Sequence, residues 1–167
     1  RALWFPDRVD PVRGSGSDQV YLASLGFDIG LLDEVRSRNR KSLGAEDREC
    51  FYQLFAAVGR APVDQFRRRA SQPLELAALL NQPALHHGEL STFRGTARRV
   101  TRIQLTEDDI RRRLDIQHYF QIDVFVPLGD QVIRLGESDP ARESPTFAEQ
   151  FPLTVCALRV PADWPLG

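Results

Sequence analysis

The apolar positions change period once along the chain, and that change separates a helical half from a β half. Residues 1–27 carry Pro6, Pro11, Gly14, Gly16 and Gly26 with no sustained periodicity. They read as an irregular arm, with Arg13–Ser17 as a flexible linker by composition. Trp4, Phe5, Tyr21, Leu22 and Leu25 are too apolar for a loose tail, so part of the arm is expected to pack on the body. A helical segment over 28–84 follows. Its first helix starts near Asp28 or Gly30, places Leu31, Leu32 and Val35 on one face, and decays into the charged Ser37–Lys41 turn. Ala45–Arg60 predicts a stronger helix. Phe51, Leu54, Phe55 and Val58 form its stripe, and Glu46, Asp47 and Glu49 favour its N-terminal dipole. Pro62 and Pro73 suit the first turns of two short helices, Val63–Ala70 and Leu74–Leu80. Asn81-Gln82-Pro83 closes the segment.

From His87 onward the period is 2. Leu85–Leu105 reads as one long strand in which Phe93, Gly95 and Ala97 alternate with Thr92, Arg94 and Thr96. The alternation slips at Arg98-Arg99, and Val100 and Ile103 resume out of phase. A slip beside a glycine is the pattern of a bulged, bent strand. Thr106-Glu107-Asp108-Asp109 resembles a capping box opening a short helix that ends near Leu114. The next strand is regular: Phe120, Ile122, Val124 and Val126 on one face, Tyr119, Gln121, Asp123 and Phe125 on the other. Gly129-Asp130 turns into a third strand, Gln131–Leu135. A polar loop, Gly136–Gln150, precedes a fourth, Leu153–Val160. The expected fold class is α+β, an N-terminal helical segment packed as one compact unit on a small, partly open, antiparallel β-barrel over 85–167.

A bent first strand with a central glycine, followed by hairpin strands, resembles the oligonucleotide/oligosaccharide-binding (OB) barrel, which has five strands. Here the strand count is one short, and Val160–Gly167 reads as the lead-in to a further strand. The layout is also similar to a group of uncharacterised planctomycete proteins in which a helical segment precedes an OB-like barrel. The pieces that carry this resemblance are Asp33-Glu34-Val35-Arg36, Glu46–Tyr52, the Pro83…Gly88…Gly95 spacing and Tyr119–Val124. It extends over about residues 28–167, and the aromatic closing strand of that group is missing. The resemblance implies a bacterial, extracytoplasmic domain of a membrane-anchored protein, and transfers a fold without catalytic residues.

Composition narrows the function classes. At 167 residues, 42% hydrophobic and 27% charged, the chain is long enough to bury a real core. A formal net charge of −1 argues against bulk nucleic acid or an anionic membrane as partner. No apolar run approaches the roughly 20 residues of a bilayer span. The chain begins with Arg1 and has no methionine, so it reads as an excised segment of a longer protein. All but one of its 22 basic residues are arginine, Lys41 being the exception; with near-zero net charge this reads as coding bias rather than phosphate binding. Cys50 and Cys156 sit inside apolar patterns, which predicts buried free thiols.

No motif for nucleophilic catalysis, phosphate cradling or a metal site stands out. His86-His87-Gly88-Glu89 is the one histidine cluster, and adjacent histidines diverge in extended chain, so no metal and no cofactor is expected. The β face offers more. Arg94, Arg98, Arg99 and Arg102 with Tyr119 and Phe125 could supply the cations and stacking rings of a single-strand binder, with Arg111-Arg112-Arg113 beside them. Arg67-Arg68-Arg69 is expected on the exposed side of its helix. The leading expectation is a non-enzymatic binding or interaction module whose partner is another protein or a second copy. The alternatives are OB-type single-stranded nucleic-acid binding, and a metal-dependent hydrolase-like enzyme with a site near His86, His87 and His118.

Overall fold

The computed structural model describes residues 10–70, 72–135 and 145–165. Trp4, Phe5, most of the polar loop after Leu135, and Leu166-Gly167 lie outside the described residues. The fold is mixed α+β, and its contacts divide it into two compact units: a helical unit up to Thr92 that also takes in Arg112–Asp115, and a β unit of Phe93–Arg111 and Ile116 onward.

The helical unit opens with a correction. Asp10–Ser24 is a helix, α1, where the sequence reading expects an arm and a linker. A six-residue stop signal ends it. Gly26 adopts a left-handed φ of 83°, its N–H bonds the Ala23 carbonyl, and the Phe27 N–H reaches back to the Leu22 carbonyl at 3.1 Å. This is a Schellman closure, and its signature apolar contact is the Leu22–Phe27 pair. Both side chains are buried in one core with Leu32, Cys50 and Ala57, against which Leu25, Leu31, Val35 and Leu54 pack. Burial of Tyr21, Leu22 and Leu25 on one side offsets the glycines upstream.

Helix α2 (Leu31–Ser37) and a 3₁₀ turn, Ala45–Asp47, leading into α3 (Arg48–Arg60) follow the predicted order. The Asp47 carboxylate accepts the Gly44 N–H at 2.8 Å and pairs with Arg38 at 3.2 Å. The Gly44 bond, followed by the Arg38 charge, holds its pKa below the ordinary value. The buried face of α3 is Cys50, Tyr52, Phe55, Ala56 and Ala57, rotated from the predicted stripe; Val58 is 39% exposed. Phe55 belongs to both sets, while Phe51 and Leu54 of the predicted stripe are half-buried.

Helix α4 (Val63–Arg69) leaves its three arginines exposed, with Arg68 paired to Asp64 and Arg69 4.2 Å over the Tyr21 ring. Strand β1 (Gln72–Pro73) pairs in parallel with β2 (Ser91–Thr92), bracketing α5 (Leu76–Asn81) and α6 (Pro83–His86). The predicted first strand is thus too long: Pro83 starts a helical turn, and Gly88, at a φ of 83°, breaks the chain direction before β2.

Glu49 on α3 holds Arg113 through two 2.7 Å bonds. The Arg113 bonds, then the Gln53 amide, pull the Glu49 pKa from 4.5 to about 2. A depressed acid stabilises the fold fully above its unfolded pKa of 4.5 and loses that contribution as pH falls through about 2. Both side chains are more than a third exposed, so solvent screening limits the contribution to about 1 kcal/mol or less. Glu49→Gln is expected to flatten the acid slope of stability in that pH window, read by urea titrations; an unchanged slope would show that the pair is not holding α3.

In the β unit, β3 (Thr96–Gln104), β4 (His118–Pro127) and β7 (Gln150–Ala157) form one antiparallel sheet in the order β3-β4-β7. A second pair joins β5 (Ile133–Arg134) to β6 (Thr146–Phe147). The register of β3 on β4 shifts between Ala97 and Arg99, which puts Arg98 in the bulge where the sequence pattern slips. Among the described residues the sheets do not close into a barrel. Strand β7 begins and ends about three residues before the predicted fourth strand, and β5 is shorter than the predicted third. Helix α7 (Asp108–Leu114) forms as expected, and just before it Thr106 donates its backbone N–H and its hydroxyl to the Glu107 carboxylate.

Alternation on β4 is legible in its burial: Ile122, Val124 and Val126 are buried, while Tyr119, Gln121, Asp123 and Phe125 are half-buried. Register carries the buried face to Val100 on β3 and to Phe151, Leu153 and Val155 on β7. Phe147 meets Phe151 edge-on at 5.0 Å.

Candidate functional site

The six residues proposed from sequence do not share one surface. Arg99 lies opposite Asp123 on the face turned away from Ile122 and Val124, and pairs with it at 2.7 Å. Arg98, released by the bulge, sits 5.8 Å over the Phe125 ring on that same face. Tyr119 follows by alternation, opposite Ile103, and burial raises its phenol pKa. Arg102 instead lies opposite Phe120, on the other face, where it meets His118 at 3.3 Å. Arg94 is exposed and precedes the ladder. Of Arg111-Arg112-Arg113, the first is held by Asp108 and Gln117 and the third by Glu49.

Arg99 and Arg102 are three apart and take opposite faces by simple alternation. The bulge adds one residue at Arg98, which brings it to the face of Arg99 and separates it from Arg102, four positions on. The charge balance also changes the picture: residues 93–111 and 116–167 hold 8 arginines against 10 acidic residues, a net of −2.

The helical unit holds a more concave site, which the sequence marks only through its histidine pair. A cavity of about 400 Å³ is lined by Asp18, Gln72, Pro73, Leu74, Glu75, Leu79, His86, Glu89, Leu90 and Ser91. Its walls come from α1, α5 and the β1–β2 bridge. The His86 imidazole Nδ1 lies 2.6 Å from the Glu89 carboxylate, both about three-quarters shielded. Asp18 reaches in from α1 and accepts the Leu90 N–H at 2.9 Å. Burial raises its pKa, opposed by that bond and by Arg69; Glu89 pushes it further up. Two more contacts fasten α1 to the turn that carries the dyad. Gln19 donates to the His87 carbonyl at 2.9 Å, and Gly88 lets Gln19 and Leu32 approach to 3.0 Å of where a Cβ would stand.

His87 does not share the cavity. Burial, then the Arg36 charge, lowers its pKa, which keeps the ring neutral at pH 7. His118 belongs to the β unit, its ring edge-on to Phe120 at 5.4 Å. Among the described residues no three His, Cys, Asp or Glu side chains gather as a metal-binding group. Ser91 lines the same cavity as His86, whose Nδ1 is engaged by Glu89. Both cysteines are free. Cys50 is buried, and burial with Asp47 and Glu34 nearby pushes its thiol up to about 11. Cys156 is half-buried rather than buried, its pKa raised by burial. Neither is a ready thiolate.

Among the described residues no helix is long and apolar enough to cross a membrane. Compared with protein-family models, curated proteins and solved structures, the chain matches none.

Proposed function

We infer that the chain is a non-enzymatic binding module whose ligand site is the cavity of the helical unit. The observation that carries this reading is the juxtaposition of an apolar wall, Pro73, Leu74, Leu79 and Leu90, with Asp18, Glu75, Glu89 and His86 around one cavity of about 400 Å³. That volume falls in the range of small-molecule clefts, which combine apolar lining with a few converging polar groups. Three carboxylates against one imidazole favour a small organic cation, an amine or guanidinium on a short aliphatic body. The His86–Glu89 pair fixes the orientation of one acceptor.

The test is calorimetric titration of the protein with butylamine and with butylguanidine, with butyrate as the anionic control. Saturable binding of the cations and none of the anion is expected. Glu89→Gln should weaken cation binding roughly tenfold, about 1.4 kcal/mol. The raised pKa of Asp18 makes binding fade on acidification sooner than an ordinary aspartate would. Equal heats from amine and butyrate would sink the reading. Hydrolysis of a simple ester that Ser91→Ala abolishes would replace it with the enzymatic one.

The β unit supports an OB-like reading through its bulged β3 and Gly95, the two features that bend such barrels. Single-strand binding by its face has less support, because Arg99 is already neutralised by Asp123 and the unit is net acidic.

A further inference from the structure

The sheet of the β unit has two outer strands, and they are built differently. Strand β4 is paired on both sides, so β3 and β7 each turn one side of the backbone away from the ladder. Backbone N–H and C=O groups on such an edge need partners, and the chemistry that satisfies a whole row of them is another strand. Edges that do not pair are blunted by charge, bulges or proline. Strand β3 has two of these devices: Arg98, Arg99 and Arg102 stand on it, and its register breaks at Arg98.

Strand β7 has little protection. Its eight residues, Gln150–Ala157, include no charge. Its pairing with β4 runs without a register shift from Pro127↔Gln150 to Phe120↔Ala157. Pro152 interrupts it near the start only, leaving Leu153–Ala157 as a regular stretch with β-branched Thr154 and Val155. No further strand pairs with it among the described residues.

We propose that β7 is the interface through which two copies of this chain associate, strand against strand and antiparallel, to make one continuous six-stranded sheet. Self-pairing follows from the contrast between the edges. Two β7 strands meet without any charge opposed, whereas β3 against β3 gathers the exposed Arg98 and Arg102 of both copies at one join, and like charges close across a ladder destabilise it. A β7-to-β3 pairing leaves a further edge at each end and grows without limit; β7 against β7 uses the same surface on both partners and closes at two. Thr154 and Cys156 line one face of the join, and Leu153, Val155 and Ala157 continue the buried face.

Sedimentation equilibrium of the whole chain over a wide concentration range tests this. Reversible dimerisation is expected, with no larger species. Thr154→Lys places a cation at an exposed position of the edge and is expected to raise the dimer dissociation constant roughly tenfold or more. Arg102→Ala, on the opposite edge, should leave it unchanged. Circular dichroism of each variant checks that the sheet is intact. If Thr154→Lys fails to fold, hydrogen exchange of the unaltered chain decides: β7 amides should gain protection on concentrating the sample, and β3 amides should not. A monomer at every concentration, a dimer indifferent to Thr154→Lys, or protection gained on β3 instead would each overturn the proposal.

Discussion

Leu22→Ala is expected to destabilise the helical unit by about 2–5 kcal/mol, the usual cost of truncating a closed-packed leucine. Leu22 is 2% exposed and packs with Phe27, Leu32, Cys50 and Ala57. It also supplies the carbonyl that closes α1, so its loss opens a cavity beside the Schellman contact. The measurement is urea unfolding followed by far-ultraviolet circular dichroism. A cost within about 0.5 kcal/mol, typical of surface positions, would mean that this segment does not dock. The prediction therefore tests α1 itself. It bears on the cavity too, since Asp18 and Gln19 hang from the same helix.

Gly95→Ala should cost about 1–3 kcal/mol through overpacking in the β unit. A Cβ at Gly95 would stand 2.5 Å from Val124 Cγ1 and 2.9 Å from the Phe125 carbonyl oxygen. Neither neighbour gives way easily: Val124 is β-branched, buried and fixed in the central strand, and the oxygen belongs to the backbone. Alanine's restriction of the unfolded chain offsets about 0.4–1 kcal/mol of the strain. Combining Gly95→Ala with Val124→Ala should cost less than the sum of the two single changes, because the second removes the methyl that the first meets. Strict additivity would show that the close approach is not where the cost arises.

Gly95 and the Arg98 bulge were readable in advance because both are local: a glycine breaks the pattern, and an extra residue shifts its phase. The alternation of β4 was equally plain, since period-2 burial needs only one sheet face. Helix α1 was not read, because Gly14 and Gly16 lower helix propensity and no apolar stripe spans them. Its stability comes from Leu22 and Phe27 packing with α2 and α3 residues and from Tyr21 meeting Phe66 on α4, a tertiary effect that overrides propensity. The Gly26-Phe27 pair behind Leu22 was the available signal, a left-handed stop followed by an apolar residue.

The candidate residues divide along the same line. His86 and Glu89 pair because Pro83–His86 is a helical turn and Gly88 turns the chain, whereas in the extended strand expected from sequence, residues three apart point to opposite faces. Asp18 joins them from 68 residues away, brought there by the docking of α1, which no periodicity encodes. The arginine set failed as a surface for two reasons: Arg99 and Arg102, three apart, alternate to opposite faces, and the bulge moves Arg98 off the face of Arg102.

By itself the sequence determined the two-part order of helices and strands, the bulge, the buried face of β4 and the near-zero charge. These depend on neighbours a few residues apart. Only the tertiary structure decided that Asp10–Ser24 is a helix, that Arg98 shares a face with Arg99, that a cavity forms around Asp18, His86 and Glu89, and that no further strand pairs with β7 among the described residues. Those depend on contacts between residues far apart in the chain, whose free energy is set by packing and by backbone partners rather than by local preference.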